Sequence, residues 1–331
     1  MLLAGDLGGT KTLLGLFERG ERRPRVIASR AYSTQTFKSF TAILDAFARD
    51  IGRTLSIEAA AVGVAGPVVG QKGRLTHVEW DVTTDEIATR LGTRRVALLN
   101  DLEVMAQSIP VLSDDELVVL QRGATKRDGH AVVIAAGTGM GQAYLRRSEG
   151  RWVPVPSEGG HADFAARTDR EMDLARMLRE RYGRAEVEQV ISGPGTVNLY
   201  RFTHGGEDCD AVRGLEPHEM PAAISAAALD GRCPTCAEAL SMFVEAYGAE
   251  TGNLALRGVA AGGVFIGGGI APKILPALQD GRFMAAFLAK PPMTELLAAM
   301  RVQVIMNPDT GLLGAALAAQ ELAGTEGPAL R

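Results

Sequence analysis

The sequence lacks the features of exported, membrane-spanning and nucleic-acid-binding proteins. No apolar run approaches the roughly 20 residues that cross a bilayer, and the N-terminus has neither a basic region nor a long apolar stretch. The formal net charge of -4 leaves no basic excess for binding nucleic acid or anionic lipid. We therefore expect a cytoplasmic protein without a nucleic-acid or membrane partner.

Cysteine is also scarce, with only three residues, Cys209, Cys233 and Cys236. An odd number without an export signal predicts reduced thiols. The C-P-T-C segment is compatible with a zinc site, for which Cys209 and His218 are the candidate additional ligands. Because residues 222–253 otherwise have the pattern of two helices around a short break, we expect thiols that flank helices and bind no metal.

Two common phosphate-binding signatures are absent. The chain has no G-x-x-x-x-G-K-[ST] P-loop, and no G-x-G-x-x-G follows its first apolar run. Both signatures need a glycine turn that opens a helix, whereas apolar runs at Leu2–Ala4, Leu13–Phe17 and Val26–Ala28 predict three successive strands. The first glycine turn must therefore bind phosphate in another way.

The length and composition predict a two-lobed globular protein. With 46% hydrophobic and 22% charged residues the chain should fold throughout, and its 331 residues exceed the roughly 250 to 300 at which a single core stops growing. No low-complexity linker separates the lobes. We expect short hinges and a central cleft, as in enzymes that close around a substrate.

A strand–glycine–strand unit occurs twice and predicts a duplicated α/β domain. In the first unit the glycine turn lies in D-L-G-G-T-K-T at 6–12; in the second, Gly137–Gly139 lies between predicted strands Ala131–Ala136 and Gly141–Leu145. Consecutive glycines let backbone N–H groups approach an anion. A tight hairpin is the alternative for one such turn, but its repetition favours one phosphate hairpin in each half.

A third glycine cluster, at 267–269, follows a predicted strand and precedes a helix that begins near Pro272. It could let an adenine ring lie against the backbone, or it could serve close packing of helix and strand. Asp6 would orient a hydrated Mg²⁺ through water beside the phosphates. The predicted nucleotide contacts are Asp6, Gly8, Gly9, Thr10, Lys11, Gly137, Thr138, Gly139, Gly267, Gly268 and Gly269.

Asp101 lies where a strand passes into a helix. A predicted strand at Arg95–Leu99 runs into Asn100 and Asp101, and Leu102–Ile109 has helical composition. A carboxylate at this point interacts favourably with the helix N-terminus. It could face a cleft mouth or act as the helix N-cap.

Eight motifs in order along residues 5–315 give a specific resemblance. They are G-D-L-G-G-T-K-T at 5–12, A-G-P at 65–67, L-N-D-L at 99–102, G-T-G-M-G at 137–141, E-G-G-H at 158–161, V-I-S-G-P-G-T-V-N-L-Y at 190–200, G-G-V-F-I-G-G-G-I at 262–270 and N-P-D-T-G-L-L-G-A at 307–315. By these motifs the chain resembles the bacterial glucokinase family, within the superfamily of sugar kinases and actin.

The resemblance implies a role for each matching residue. Asn100 and Asp101 would grip the 4- and 6-hydroxyls of a hexose, and Asp101 would accept the 6-hydroxyl proton as general base. Glu158 and His161 would contact hydroxyls near the reducing end, and Glu188 would add an acidic contact on that side, although an exposed helix charge is the alternative for Glu188. Carboxylates and a neutral imidazole suit vicinal hydroxyls.

The resemblance also implies an overall assignment. The fold would be a two-lobed, actin-like (ribonuclease H-like) α/β fold. One domain, residues 1–109 plus 307–331, would carry the first hairpin and Asp101; the other, 110–306, would carry the second hairpin and the sugar and adenosine contacts. The expected activity is phosphorylation of glucose at the 6-hydroxyl by ATP with Mg²⁺, feeding glycolysis, in a cytoplasmic homodimer.

One departure and two alternatives remain open. The family often has Asn in a Thr-Asn-x-x-Trp stretch, where this chain has Thr76 and His77 before Trp80. The substrate could therefore be another hexose, such as mannose, fructose or an amino sugar. A sugar-responsive repressor or a non-catalytic sensor is the rival from another class. The phosphate hairpin at residue 5 leaves no room before it for a DNA-binding module, and a sensor would be expected to lack Asp101.

Overall fold

The computed structural model describes residues 1–52, 56–75, 78–124, 126, 128–206 and 208–324. They form two compact units: unit 1 is Met1–Ser113 together with the chain from Asn307 onward, and unit 2 is Asp114–Met306. The motifs suggested a first boundary after residue 109, and the structure has it after Ser113. Among the described residues, no helix is both long and apolar enough to cross a bilayer.

Unit 1 is built on a five-stranded mixed sheet of order β3-β2-β1-β4-β8. Strands β1 to β3 form the predicted antiparallel meander, and β4 and β8 continue the sheet parallel to β1. Three short strands, β5 to β7, form a separate antiparallel sheet. The strands are β1 Leu2–Leu7, β2 Lys11–Glu18, β3 Arg25–Ser33, β4 Ala59–Val64, β5 Val68–Val69, β6 Lys72–Arg74, β7 Asp81–Thr83 and β8 Val96–Asn100.

Capping residues define the helices of unit 1. Ser39 accepts the N–H of Ala42 at the start of the first helix, and Gly52 ends it in the left-handed conformation, with φ 67°. The helices are α1 Phe40–Ile51, α2 Thr84–Leu91, α3 Asp101–Ser108 and the closing helix Thr310–Gly324, with 3₁₀ turns at Thr34–Thr36 and Ile109–Val111.

The closing helix forms the second layer on one face of the sheet. Its buried alanines pack against small residues of β1 and β4, in a cluster that includes Ala4, Ala61 and Ala315. Gly314 allows the closest approach, because a Cβ added there would lie 1.6 Å from the Val104 carbonyl oxygen of α3. The small residues therefore let this helix hold α3, the helix that begins at Asp101.

Unit 2 repeats this strand order in a six-stranded sheet, β12-β11-β10-β13-β14-β9. Strands β10 to β12 form an antiparallel meander, β13 and β14 follow parallel to β10, and β9 adds an antiparallel edge. The shared order agrees with the repeated strand–glycine–strand pattern. The strands are β9 Leu117–Gln121, β10 Ala131–Ala136, β11 Met140–Ser148, β12 Arg151–Ser157, β13 Gly263–Gly267 and β14 Val302–Ile305.

The helices of unit 2 surround the longest helix of the described chain, which carries buried Phe243 and Tyr247 into the core. The helix that follows Ser192, its N-cap, begins at Gly193. The helices are α4 Asp169–Tyr182, α5 Gly193–His204, α6 Met220–Leu229, α7 Pro234–Gly258, α8 Leu275–Gln279, α9 Arg282–Leu288 and α10 Thr294–Ala298, with 3₁₀ turns at Asp114–Glu116, Gly159–His161 and Ala271–Ile274.

Candidate active site

In unit 1, strand register brings the sequence-predicted groups to one edge of the sheet. Leu7, Val64 and Asn100 are paired across β1, β4 and β8, and each ends its strand. The first hairpin, the turn Gly8–Thr10 between β1 and β2, follows Leu7, and Asp101 follows Asn100. Ligands of α/β sheets bind outside the carboxyl ends of such parallel strands.

The first hairpin is fixed by hydrogen bonds from its own backbone and from Thr34. The Gly8 N–H donates to the Lys11 carbonyl oxygen over 3.1 Å, and the Thr34 N–H donates to that of Thr10 over 2.9 Å. The Thr34 hydroxyl donates to the Gly8 carbonyl oxygen over 2.7 Å. Thr34 is fully buried, and nothing in the sequence near the glycines indicates its role. The turn is therefore rigid, while Thr10 and Lys11 are exposed.

Asp6 is a partly buried carboxylate beside this hairpin. Burial, and then the charge of Asp309, raise its pKa to about 6, and Lys11 opposes the increase. A Cβ added at Gly311, in the first turn of the closing helix, would lie 2.6 Å from an Asp6 oxygen. Because Asp6 and Asp309 repel each other, a hydrated divalent cation would relieve their charge, and oxygen ligands of this kind suit Mg²⁺.

Asn100, and not Asp101, is the N-cap of α3. Its Oδ1 accepts the Leu102 N–H over 2.9 Å, and its Nδ2 donates to the Gly66 carbonyl oxygen over 3.3 Å, within the A-G-P motif. The Glu103 side chain completes a capping box. Asp101 is half-buried in the first turn, where one of its oxygens also accepts the Leu102 N–H over 2.9 Å. The helix therefore keeps its cap without Asp101.

In unit 2 the second hairpin, the turn Gly137–Gly139 between β10 and β11, is held by two neighbouring segments. The Gly193 N–H, at the start of α5, donates to the Gly137 carbonyl oxygen over 2.8 Å. The Met140 N–H donates to Glu188 Oε2, also over 2.8 Å. Glu188 is half-buried in a turn and is not an exposed charge on a helix. Its carboxylate thus contacts the hairpin, a role that the sequence did not predict.

The E-G-G-H segment is hydrogen-bonded to the backbone of the same residue, Glu188. The Glu188 N–H donates to the Gly160 carbonyl oxygen over 2.9 Å. A Cβ added at Gly160 would lie only 1.9 Å from the Met140 carbonyl oxygen, so no larger residue fits. Unit 2 therefore brings together Glu158, His161, Glu188 and the second hairpin, as their common assignment to one site requires.

His161 has a partner that the sequence did not reveal. Its Nδ1 lies 3.0 Å from Glu186 Oε2, and its side chain is 56% exposed. The bond to Glu186 raises the pKa of His161, burial opposes the rise, and nearby Glu188 and Glu158 add to it. The carboxylates thus favour an imidazole that can donate from both nitrogens.

The third glycine cluster serves packing at one position and leaves space at another. Gly268 has φ 84°, and a Cβ added there would lie 2.3 Å from the Ala136 carbonyl oxygen. Gly269 has open space around its Cβ position. The packing alternative thus holds at Gly268, and Gly269 leaves room that the adenine alternative would need.

A cavity of about 750 Å³ opens beside the second hairpin within unit 2. Its walls come from that hairpin, the first turns of α5, helix α6 and the segment after the third glycine cluster. The volume is typical of a small-molecule site. The sequence identified Gly137 and Thr138 in this wall but missed residues such as Pro194, Arg201, Ser225 and Lys273. Thr76 and His77, the departure noted above, lie outside the described residues.

Comparisons with known proteins agree with the resemblance drawn from the motifs. The family model for glucokinase matches residues 3–322. The glucokinase of Synechocystis sp. (strain PCC 6803) is 35% identical over 96% of this chain and 98% of its own length. That of Nostoc sp. (strain PCC 7120) is 37% identical over 97% and 99%.

Solved structures show the same likeness. Glucokinase from an Antarctic psychrotroph has a TM-score of 0.84 at 27% identity, covering 97% of this chain and 98% of its own. A ROK family glucokinase from Streptomyces griseus, solved with glucose and AMPPNP, has a TM-score of 0.66 at 20% identity, covering 97% and 99%. The second similarity supports the fold alone.

Proposed function

This chain belongs to the glucokinase family, and from that membership we propose that it transfers the γ-phosphoryl group of ATP to the 6-hydroxyl of glucose with Asp101 as general base. Relatives named glucokinase, 35% and 37% identical over nearly their whole lengths, support the enzyme class. The chain is therefore an enzyme that phosphorylates glucose with ATP. The proposed site rests on the strand register, which pairs Leu7 with Val64 and Val64 with Asn100. The first hairpin and Asp101 follow these strand ends and so lie at the same edge of the sheet.

In the proposed reaction the 6-hydroxyl oxygen bonds to the γ-phosphorus while the bond from that phosphorus to the β,γ-bridging oxygen breaks. The hydroxyl proton passes to a carboxylate oxygen of Asp101, and ADP leaves with the bridging oxygen. Because phosphoryl transfer depends chiefly on position and charge neutralisation, a carboxylate of ordinary basicity suffices when it is well placed. The Asn100 cap supports that placement by fixing the start of α3.

The phosphates are assigned to the two hairpins. In unit 1, the N–H groups of Gly9 and Thr10 and the side chain of Lys11 would donate to phosphate oxygens, while Gly8 closes the turn and gives the phosphate room to approach. Asp6 would hold the water of a Mg²⁺ ion. That ion would neutralise charge on the phosphates when bound. In unit 2, Gly137–Gly139 would do the same beside the cavity, which suits an adenosine group in size and in its mixed polar and apolar wall.

The sugar is assigned to Asn100 and Asp101 in unit 1 and to Glu158, His161 and Glu188 in unit 2. Support for the second group comes from its hydrogen-bonded cluster around Gly160 and Met140. A site that pairs each sugar hydroxyl with a buried or oriented polar group rejects sugars that leave such groups unpaired.

A hexose panel tests the substrate. We expect the highest kcat/KM for glucose over mannose, fructose and glucosamine in an assay that couples ADP release to NADH oxidation, and product with phosphate on the 6-oxygen by NMR. A higher kcat/KM for another hexose would identify that hexose as the substrate instead of glucose. No ATP turnover with any sugar would favour the non-catalytic sensor.

The resemblance further implies an actin-like (ribonuclease H-like) fold, a homodimer and a cytoplasmic location. Light scattering on the purified protein tests the dimer, and cell fractionation tests the location. A monomer at micromolar concentration, or recovery with membranes, would contradict them.

A further inference from the structure

Four metal-binding side chains converge in unit 2, away from the residues assigned to the reaction. They are His204, the last residue of α5, Cys209 in the following loop, Cys233, the N-cap of α7, and Cys236 in the first turn of α7. One ligand atom from each lies within 4.8 Å of every other. Cys236 is fully buried, and the other three are partly buried.

The distances between these atoms fit a tetrahedral ion. Cys209 Sγ lies 3.8 Å from Cys236 Sγ. His204 Nε2 lies 3.5 Å from Cys233 Sγ and 3.9 Å from Cys236 Sγ. Tetrahedral zinc, with Zn–S near 2.3 Å and Zn–N near 2.0 to 2.1 Å, separates two sulfurs by about 3.8 Å and a sulfur from a nitrogen by about 3.6 Å. The side chains therefore already have the required spacing.

Hydrogen bonds orient the ligands in the way that metal sites require. His204 Nδ1 lies 3.0 Å from the Tyr200 carbonyl oxygen, to which it can donate, leaving Nε2 as the lone-pair nitrogen. The Tyr200 ring stacks on the His204 ring with centroids 3.9 Å apart. The Tyr200 hydroxyl also accepts the Cys209 N–H over 2.8 Å. Tyr200 thus positions two of the four ligands.

We propose that His204, Cys209, Cys233 and Cys236 bind one structural Zn²⁺ ion. Three thiolates and an imidazole select zinc over Mg²⁺ or Ca²⁺, which take oxygen ligands. Four protein ligands leave no open position, so the ion is structural and not catalytic. The sequence predicted no metal and offered His218 as a possible ligand; within the described chain the cluster instead contains His204.

The ion joins elements that form the wall of the cavity. It links the end of α5 to the start of α7 across the loop that leads into α6, where Cys236 packs with Val197 and Ile224. Val197 and Arg201 of α5, and Ser225 of α6, line the cavity. If the cavity holds adenosine, as proposed above, zinc keeps its wall ordered and supports nucleotide binding without contacting the nucleotide.

The first measurement needs no activity. We expect the full-length chain, purified without a polyhistidine tag or chelator, to contain about one zinc per chain by plasma mass spectrometry. Protein produced with Co²⁺ in place of zinc should show the visible d–d bands and the thiolate charge-transfer absorption of tetrahedral cobalt. These spectra report thiolate ligation in the wild-type chain, so they test the site even if a cysteine variant fails to fold.

Variants identify the ligands. His204→Gln and Cys209→Ser should lower the zinc content to less than about a tenth per chain, while His218→Gln, the matched control, should keep it. Zinc below about a tenth per wild-type chain, with no cobalt spectrum after Co²⁺ is added to reduced protein, would overturn the site. A disulfide between Cys209 and Cys236 in the native protein, detected as the loss of two free thiols, would also overturn the site.

Nucleotide binding tests the consequence. If removal of zinc leaves the wall ordered in about a tenth of molecules, affinity for ADP by calorimetry should fall roughly tenfold and return when zinc is restored. Affinity for glucose should change little. Unchanged ADP affinity after zinc is removed would reject the coupling while the metal site stands. A wild-type enzyme that is active as purified, contains no zinc and gives no cobalt spectrum when reduced would reject the site and leave the proposed function intact.

Discussion

Replacing Asp101 by asparagine separates catalysis from helix capping. Asparagine keeps the size of the side chain and can contact the sugar hydroxyl, but it cannot accept the proton. If Asp101 is the general base, kcat should fall by about 10²- to 10⁴-fold, the contribution of a positioned base. This corresponds to an increase of about 3 to 5 kcal/mol in the activation free energy.

The effect on stability should be small for a structural reason. Asn100 is the N-cap of α3 and would remain. The variant loses one carboxylate near the helix N-terminus, which contributes about 0.3 to 1 kcal/mol at partly exposed sites. We therefore expect the free energy of unfolding in urea to fall by no more than about 1 kcal/mol, and ADP affinity to stay the same.

Glu103→Gln is the matched control, because it removes a carboxylate from the same helical turn and weakens the capping box. It should cost similar stability and leave kcat within about twofold of wild type. The assay is steady-state kcat beside urea unfolding for both variants. An Asp101→Asn enzyme with more than about a tenth of wild-type kcat, or an equal loss in Glu103→Gln, would refute the reasoning.

Three further variants test the neighbouring contacts. Gly160→Ala forces a methyl group onto the Met140 carbonyl oxygen. It should therefore lower the free energy of unfolding in urea by about 1 to 3 kcal/mol and raise KM for glucose. Wild-type values of both quantities would contradict the contact. Glu186→Gln should lower the pKa of His161, seen by NMR titration. Because that pKa is raised in the folded state, the pair stabilises the fold at pH below the ordinary histidine pKa, and the contribution disappears as pH rises through the raised value; an unchanged titration would exclude the pair. Thr34→Val removes the buried hydrogen bond from the Thr34 hydroxyl to the first hairpin. It should lower the free energy of unfolding by about 1 to 3 kcal/mol and weaken ATP binding. A variant as stable as wild type would show that the bond is dispensable.

The sequence could predict the hairpins because their signals are local. Glycines between apolar runs indicate a turn between strands, so both hairpins and the start of the helix at Asp101 follow from nearby residues. Pro194 lies in the first turn of α5, where a missing N–H costs nothing, so it does not delay a helix that begins at Gly193.

The contacts that fix the site depend on distant parts of the chain. Thr34 bonds to a glycine 26 residues earlier, and Glu188 bonds to the Met140 N–H 48 residues earlier. Neither pairing follows any helical or strand period. The sequence suggested His218 beside the cysteines, whereas the end of α5 places His204 there. Such hydrogen-bond partners depend on which distant segments the fold brings together, and residue composition does not reveal them.

The position of the closing helix determines when the first unit can be completed during synthesis. Unit 1 needs Thr310–Gly324 to cover β1, β4 and α3, yet the ribosome makes roughly 190 residues of unit 2 between Ser113 and that helix. At about 5 to 20 residues per second, the delay is on the order of 10 to 40 seconds. The continuous unit 2 can fold in that time, while the sheet that leads to Asp101 waits with an apolar face uncovered. A released chain that ends at Met306 should therefore resist protease in 114–306 and be cleaved in 1–113.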